Sequence, residues 1–161
     1  MPIRRLRTYL DTHDVRYVVM DHSPAFSALE VAQYTHISGR NIAKTIILIV
    51  EDQPVMLVLP GSEKVSLDFF KEFCDTQDVR LANEYEFREI FTDCEVGAMP
   101  PFGNLYGINV YVSKSLTDDD EIAFNAGNHH QVIRMKYRDF ERLVHPVVLD
   151  FSVSPAHSLQ L

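Results

Sequence analysis

At 161 residues, with 46% hydrophobic and 24% charged residues, the chain has the length of one domain and the balance of a folded globular protein. That excludes a disordered, collagen-like or low-complexity chain. A net charge of −8 argues against a protein that coats long nucleic acid, because neutralising many phosphates needs a basic surface, while a grip on the end of one strand stays open.

In chain order, the basic start Met1-Pro2-Ile3-Arg4-Arg5-Leu6-Arg7 has no apolar run after it, so no signal peptide is expected. Ile3, Leu6 and Leu10 recur at helical spacing and predict a helix over about Pro2 to Thr12. Tyr17 to Asp21 reads as a strand. Ser27-Ala28-Leu29-Glu30 has the form of a capping box and starts a helix that runs to about Tyr34. Lys44–Val50 and Val55–Leu59 flank the polar Glu51-Asp52-Gln53-Pro54 and predict a hairpin. Ser66 caps a helix with Leu67, Phe70 and Phe73 on one face. Asn83 begins another, with Phe87, Ile90 and Phe91 inward. Ile108–Val112, Ile122–Asn125 and Gln131–Met135 are strand-like, the last two joined by Ala126-Gly127-Asn128. A final helix near Tyr137 to Val144 ends before Pro146.

Strands and helices alternate irregularly around at least one hairpin, which predicts an α+β (α/β) fold with a mixed sheet. One domain is expected over 1–150, with a loose tail over 151–161. No apolar stretch reaches the length of a membrane span. Cys74 and Cys94 are too few for a disulfide scaffold and read as reduced thiols of a cytoplasmic protein.

Lys44 is the most informative residue. It precedes Thr45-Ile46-Ile47-Leu48-Ile49-Val50, an apolar run of the kind found in strands covered on both faces. A lysine at the mouth of such a strand either snorkels to water or holds an anion in a partly desolvated cleft. Gly97-Ala98-Met99-Pro100-Pro101 is a second unusual element. Gly97 permits uncommon φ/ψ, and Pro100 and Pro101 stiffen the chain beyond it, so the segment is either a connecting turn or a loop that offers backbone groups to a ligand. Asp118-Asp119-Asp120-Glu121 is a solvated loop or a cation holder. No Gly-x-Ser-x-Gly elbow and no basic motif beside a cysteine supplies an activated nucleophile.

His22-Ser23-Pro24-Ala25, Lys44-Thr45 with its aliphatic strand, Val79-Arg80-Leu81-Ala82, the Gly97–Pro101 loop and Phe124-Asn125-Ala126-Gly127 occur in the order found in the YbaK/ProX family, which the chain resembles over residues 15 to 144. The resemblance implies a curved mixed sheet surrounded by helices, and removal of wrong amino acids from tRNA without a metal or organic cofactor. The partners implied are the aminoacyl-tRNA acceptor end and an aminoacyl-tRNA synthetase. The alternative is a non-catalytic module that kept the cleft to bind an aminoacyl-tRNA end, an amino acid or a nucleotide.

By the same resemblance, Lys44, Gly97 and His129 are the catalytic candidates. His22, Phe26, Thr45, Ala98, Met99, Pro101, Asn125 and Gly127 are the substrate-binding ones. Adjacent residues on a strand face opposite ways, so His129 and His130 are not expected to share one metal ion, and His129 is the one expected at the cleft. In a regular strand Thr45 faces away from Lys44. Phe26 and Leu29 are candidates for an apolar wall. Met20 departs from the tyrosine of several relatives, which implies a less polar pocket.

Overall fold

The computed structural model describes residues 2–154. In chain order the elements are α1 (Arg4–Thr12), β1 (Tyr17–Asp21), α2 (Ala28–Thr35), β2 (Ala43–Val50), β3 (Gln53–Pro60), β4 (Lys64–Val65), α3 (Leu67–Phe73), β5 (Val79–Leu81), α4 (Glu84–Ile90), β6 (Val110–Ser113), β7 (Glu121–Asn125), β8 (Gln131–Lys136), α5 (Tyr137–Val144), β9 (Val147–Leu149) and β10 (Ser152–Val153). A five-stranded sheet has the order β5-β2-β3-β6-β9, a three-stranded sheet the order β1-β8-β7, and β10 pairs with β4. The larger sheet is mixed, because β2 runs antiparallel to β3 and β5 while β3, β6 and β9 are parallel. The expected α+β class with a mixed sheet is the one observed.

The local signals act as the sequence suggests. Ser27 Oγ and Ser66 Oγ each accept the N–H three residues on, closing the first turns of α2 and α3. At α2 the box is only half made, since the Ser27 hydroxyl turns to the Glu30 carboxylate. Asn83 and Glu86 make the reciprocal box at α4. Glu86 also takes a two-pronged ion pair from Arg80 at 2.7 and 2.8 Å, which ties α4 to β5.

The large sheet is covered on both faces, as the Lys44–Val50 run implied. Ala43 and Ile47 of β2 with Met56 and Val58 of β3 face the main core, where Leu6 and Leu10 of α1, Phe87 of α4 and Phe140 of α5 converge. Phe102 lies at its centre, with ring centroids 5.6 Å from Phe124 and 5.7 Å from Phe140. Leu48, Leu57 and Leu59 face a second cluster closed by Phe70 and Phe151.

Three expectations are corrected. The β2–β3 turn is shorter than the four polar residues suggested, for Val50 pairs with Gln53 and only Glu51 and Asp52 lie between, both at positive φ. This is the two-residue turn whose twist suits a hairpin, and Pro54 lies inside β3. Phe73 is half exposed and stacks on Phe69 at 6.0 Å, because α3 ends there and only Phe70 reaches the core. The chain from Phe151 to Val153 is packed, not loose. Phe151 is buried, and Ser152 Oγ bonds Glu63 Oε1 at 2.6 Å and Ser113 Oγ at 2.5 Å. A short polar sequence gives no periodicity to reveal such anchoring. The rest of the predicted tail, 155–161, lies outside the described residues.

Gly127, between β7 and β8, has φ +95, and a Cβ there would lie 2.3 Å from Ile3 Cγ2. Both the backbone and the space therefore demand glycine. Gly127→Ala is expected to cost about 2–4 kcal/mol in a denaturant titration, from the left-handed backbone together with overpacking against Ile3.

Candidate active site

The site arises where two strands part. β3 lies along one side of β2 for its whole length. On the other side, β5 pairs only with Leu48, Ile49 and Val50, and the Ala82 N–H reaches the Ile47 carbonyl at 2.9 Å. At the foot of β2, a single parallel bridge joins Ile42 to Ala123 of β7, with the Ala123 N–H donating to the Asn41 carbonyl at 3.0 Å. Between these two attachments no strand lies beside β2 among the described residues. The carbonyls of Asn41 and Ile47 both face this edge, so by strand alternation the main-chain groups of Ala43 and Thr45 face it too.

A cleft of about 180 Å³ fills the gap. It is bordered by the start of α2 with Phe26 before it, by Ile42 to Thr45, by Gly97 and Met99, and by Asn125 at the end of β7. Hollows of about 680 and 580 Å³ lie at the Asp119–Glu121 loop and beside α3, but both are shallow and lined mostly by charged and polar side chains. Only the smaller cleft gathers the motif residues.

Lys44 is half-buried, and its Nζ donates to the Gly61 carbonyl at 3.4 Å. Burial, and after it the charge of Lys64, pull its pKa below the usual lysine value, while Glu63 pulls the other way. The ammonium is thus short of water and shares its surroundings with another cation, a setting in which an anion is welcome. Thr45 Oγ1 and Asn125 Oδ1 are buried with no hydrogen-bond partner among the described residues. Two unpartnered polar atoms in one cleft are costly unless a ligand meets them.

The Gly97 loop is a β-turn from Glu95 to Ala98, closed by the Ala98 N–H on the Glu95 carbonyl at 3.0 Å, with Gly97 at φ +82 in the position that needs positive φ. The β7–β8 turn grips it from behind. The Glu95 N–H donates to the Gly127 carbonyl at 2.8 Å, the Gly127 N–H to the Ala98 carbonyl at 3.0 Å, and His129 Nε2–H to the Val96 carbonyl at 2.7 Å. The N–H groups of Gly97 and Met99 have no partner among the described residues.

Of the residues read from the sequence, Lys44, Thr45, Phe26, Gly97, Met99 and Asn125 border the cleft. Thr45 does face the opposite side of the sheet from Lys44, and both border the cleft because it runs along the strand edge. Ala98, Gly127 and His129 stand behind that wall, where Ala98, Gly127 and His129 Nε2 bond the two turns together while His129 Nδ1 is buried with no partner among the described residues. His22 bonds the Ser23 carbonyl through Nδ1 at 2.7 Å and stacks near Tyr34, which fixes the turn before α2. Pro101 is buried on the exit from the loop. His130 is exposed, whereas His129 is buried. Leu29 is exposed beside Gly39 and Phe26 rises above the cleft, so neither is core.

Sequence reading missed Gly61, whose carbonyl receives Lys44 and whose Hα faces Ala28, where a Cβ would come within 2.7 Å. The Pro60-Gly61 pair was its available signal. Ala28, Val31, Ile42 and Ala43 were also missed, being indistinguishable in sequence from core residues. Among the described residues no group of three or more His, Cys, Asp or Glu side chains comes together as metal ligands, and no helix is long and apolar enough to cross a membrane. Both cysteines are free. Burial pushes the Cys94 thiol up to about 12 and raises that of Cys74, so neither is an activated thiolate.

Lys44 of β2 and Gly97 of the turn border one cleft, and comparison with known proteins gives the class. The model of the aminoacyl-tRNA editing domain matches residues 22–143. The chain belongs to that family, as the resemblance read from its motifs implied. It is 25% identical over 153 residues to the multifunctional Ser/Thr-tRNA deacylase ProXp-y of Escherichia coli K12, covering 92% of this chain and 91% of that one. It is 30% identical over 99 residues, 62% of its length, to the proline-tRNA ligase of Streptococcus mutans serotype c. The chain spans only 15–21% of the length of the proline-tRNA ligases it matches. The solved structure of hypothetical protein APE2540 superposes with a TM-score of 0.82 at 21% identity, over 93% of this chain and 100% of that one, and shares the fold.

Gly97→Ala meets no clash, since the new methyl would lie 3.7 Å from His129 Cε1, but it must hold φ +82. The expected stability loss is about 1 kcal/mol by thermal unfolding. If Gly97 presents backbone groups to substrate, turnover falls by more than that change in folded population allows.

Proposed function

We propose that this protein is a trans-editing aminoacyl-tRNA deacylase that hydrolyses the ester between a wrong amino acid and the terminal adenosine of tRNA. The observation that carries the reading is the coincidence, in one cleft, of a partly desolvated lysine, two unpartnered polar side chains and a glycine turn with free N–H groups among the described residues. Family membership and the end-to-end match to a relative named as a deacylase support it.

In this reading the amino acid enters the cleft, and its α-ammonium, a donor, meets the acceptors Asn125 Oδ1 and Thr45 Oγ1. Lys44 holds the terminal phosphate and steadies the ester beside the edge of β2. Water attacks the ester carbonyl carbon and moves negative charge onto the carbonyl oxygen; the intermediate then collapses by breaking the bond to the ribose oxygen, which leaves as a hydroxyl with one of the water's protons while the amino acid is freed. The N–H groups of Gly97 and Met99 receive that charge, the preorganised donation that lowers such barriers most. His129 keeps the turn aimed by holding the Val96 carbonyl, and so acts as a positioning residue. No covalent enzyme intermediate is required, which agrees with the unreactive thiols. The acceptor end is the partner contacted, and a synthetase that releases mischarged tRNA is the source of substrate.

The test is release of amino acid from tRNAs mischarged with alanine, cysteine, serine or threonine. The wild type is expected to hydrolyse at least one of them, and Lys44→Ala to lose roughly 100-fold or more, the scale of a lost electrostatic contact in a desolvated site. Tight binding of these tRNAs without turnover would identify a non-catalytic module instead. The same substitution is expected to leave the thermal midpoint unchanged or raised, because the charged lysine is disfavoured by its burial in the folded state.

A lowered lysine pKa also fixes the sign of a pH effect. The Lys44-dependent part of kcat/KM, which reports the free enzyme and is measured as wild type minus Lys44→Ala, is expected to fall as pH rises, with a midpoint below the ordinary lysine value of 10.5. A midpoint at or above 10.5 in kcat/KM would show that the ammonium is not desolvated in the free protein.

A further inference from the structure

Phe26 is 73% exposed, the most exposed of the large hydrophobic side chains described, and Leu29 close by is 67% exposed. An exposed phenylalanine alone carries little meaning, yet this one is held unusually firmly. Ala25 before it is fully buried, with its N–H on the His129 carbonyl at 2.8 Å, and Ser27 after it caps α2. Its ring packs against the His129 imidazole, with centroids 4.6 Å apart and the planes inclined at 39°. It borders the same cleft as Lys44, Gly97 and Asn125. An aromatic ring on a firmly held backbone, braced on one side by His129, thus stands at the mouth of the cleft with its outer side open to solvent.

We propose that Phe26 is the stacking platform for the terminal adenine base of the substrate, a subsite that rests on the deacylase reading. In an aminoacyl-tRNA only the ribose separates the ester from that base, so an ester seated beside Thr45 brings the base to the rim of a small cleft. The net charge of −8 also leaves little long-range attraction for phosphate, so affinity for the end of the strand has to come from contacts of another kind. Stacking on an aromatic ring supplies them, at about 1–3 kcal/mol per base, with no need for a basic surface. Because the backbone around it is held by Ala25 and the α2 cap and the ring already packs against His129, binding costs less ordering entropy than it would for a free side chain. The His129–Phe26 contact also links the platform to the Gly97 turn, so base recognition and the oxyanion donors rest on one support.

The test compares two non-hydrolysable ligands by calorimetry, 3′-alanylamido-3′-deoxyadenosine and the same alanylamido ribose without its base. The wild type is expected to bind the adenine-bearing compound roughly 5- to 100-fold more tightly. Phe26→Ala should erase that preference while leaving affinity for the baseless compound and the thermal midpoint unchanged, and Phe26→Trp should restore it. An undiminished preference in Phe26→Ala, or equal binding of both compounds by the wild type, overturns the proposal. Deacylation of mischarged tRNA by the wild type is scored separately, and its absence would sink the deacylase reading while the binding comparison still decides the role of Phe26.

Discussion

The site depends on the limited pairing of β2. A strand covered on both faces satisfies its backbone through its neighbours, and β2 does so along the whole of β3 but only at its two ends on the other side. The Ile42–Ala123 bridge draws β7 in and Ala82 closes the top, so the interval between them is an opening with polar main chain along one wall. Lys44 is half-buried because it lies on that interval, and Asn125 reaches the same space because β7 continues past the bridge.

The second wall is made by turns that hold one another. Gly97 and Gly127 both adopt positive φ, and each turn spends its own N–H and carbonyl groups on the other. His129 adds one side-chain bond to the Val96 carbonyl and packs its ring against that of Phe26. This division of labour separates groups that face the cleft from groups that hold it in shape. Gly97, Met99, Lys44, Thr45 and Asn125 belong to the first set, Gly127, Ala98, His22 and His129 to the second. A motif in sequence contains both sets without distinguishing them.

Most of the fold was legible in the chain. Side-chain periodicity and caps located α1, α2, α3, α4 and α5 and the strands β1, β2, β7 and β8 within a few residues, because those signals are local. The turn length at Glu51–Asp52 and the exposure of Phe73 were misread locally, while the anchoring of the chain beyond Asp150 is non-local. Ser152 is anchored by Glu63, 89 residues away, and the pairing of β10 with β4 leaves no trace in a two-residue strand. Pro54 reads as a turn residue, yet at the outer part of β3 its missing N–H costs nothing that the sheet requires.

By itself the sequence determined the chemical parts: a charged residue at the head of an apolar strand, two glycines that only positive φ explains, a histidine after a turn, and an order of motifs that marks the editing family. Those are properties of residue type and spacing, and local physics acts on them directly. Only the tertiary structure decided which parts meet. Whether Thr45 shares a cleft with Lys44, whether His129 Nε2 faces the cleft or a carbonyl, and whether Phe26 is core or exposed at the cleft all depend on where β2 and β7 separate. That separation is set by pairing between segments some 80 residues apart, a distance over which a sequence pattern carries no record of contact.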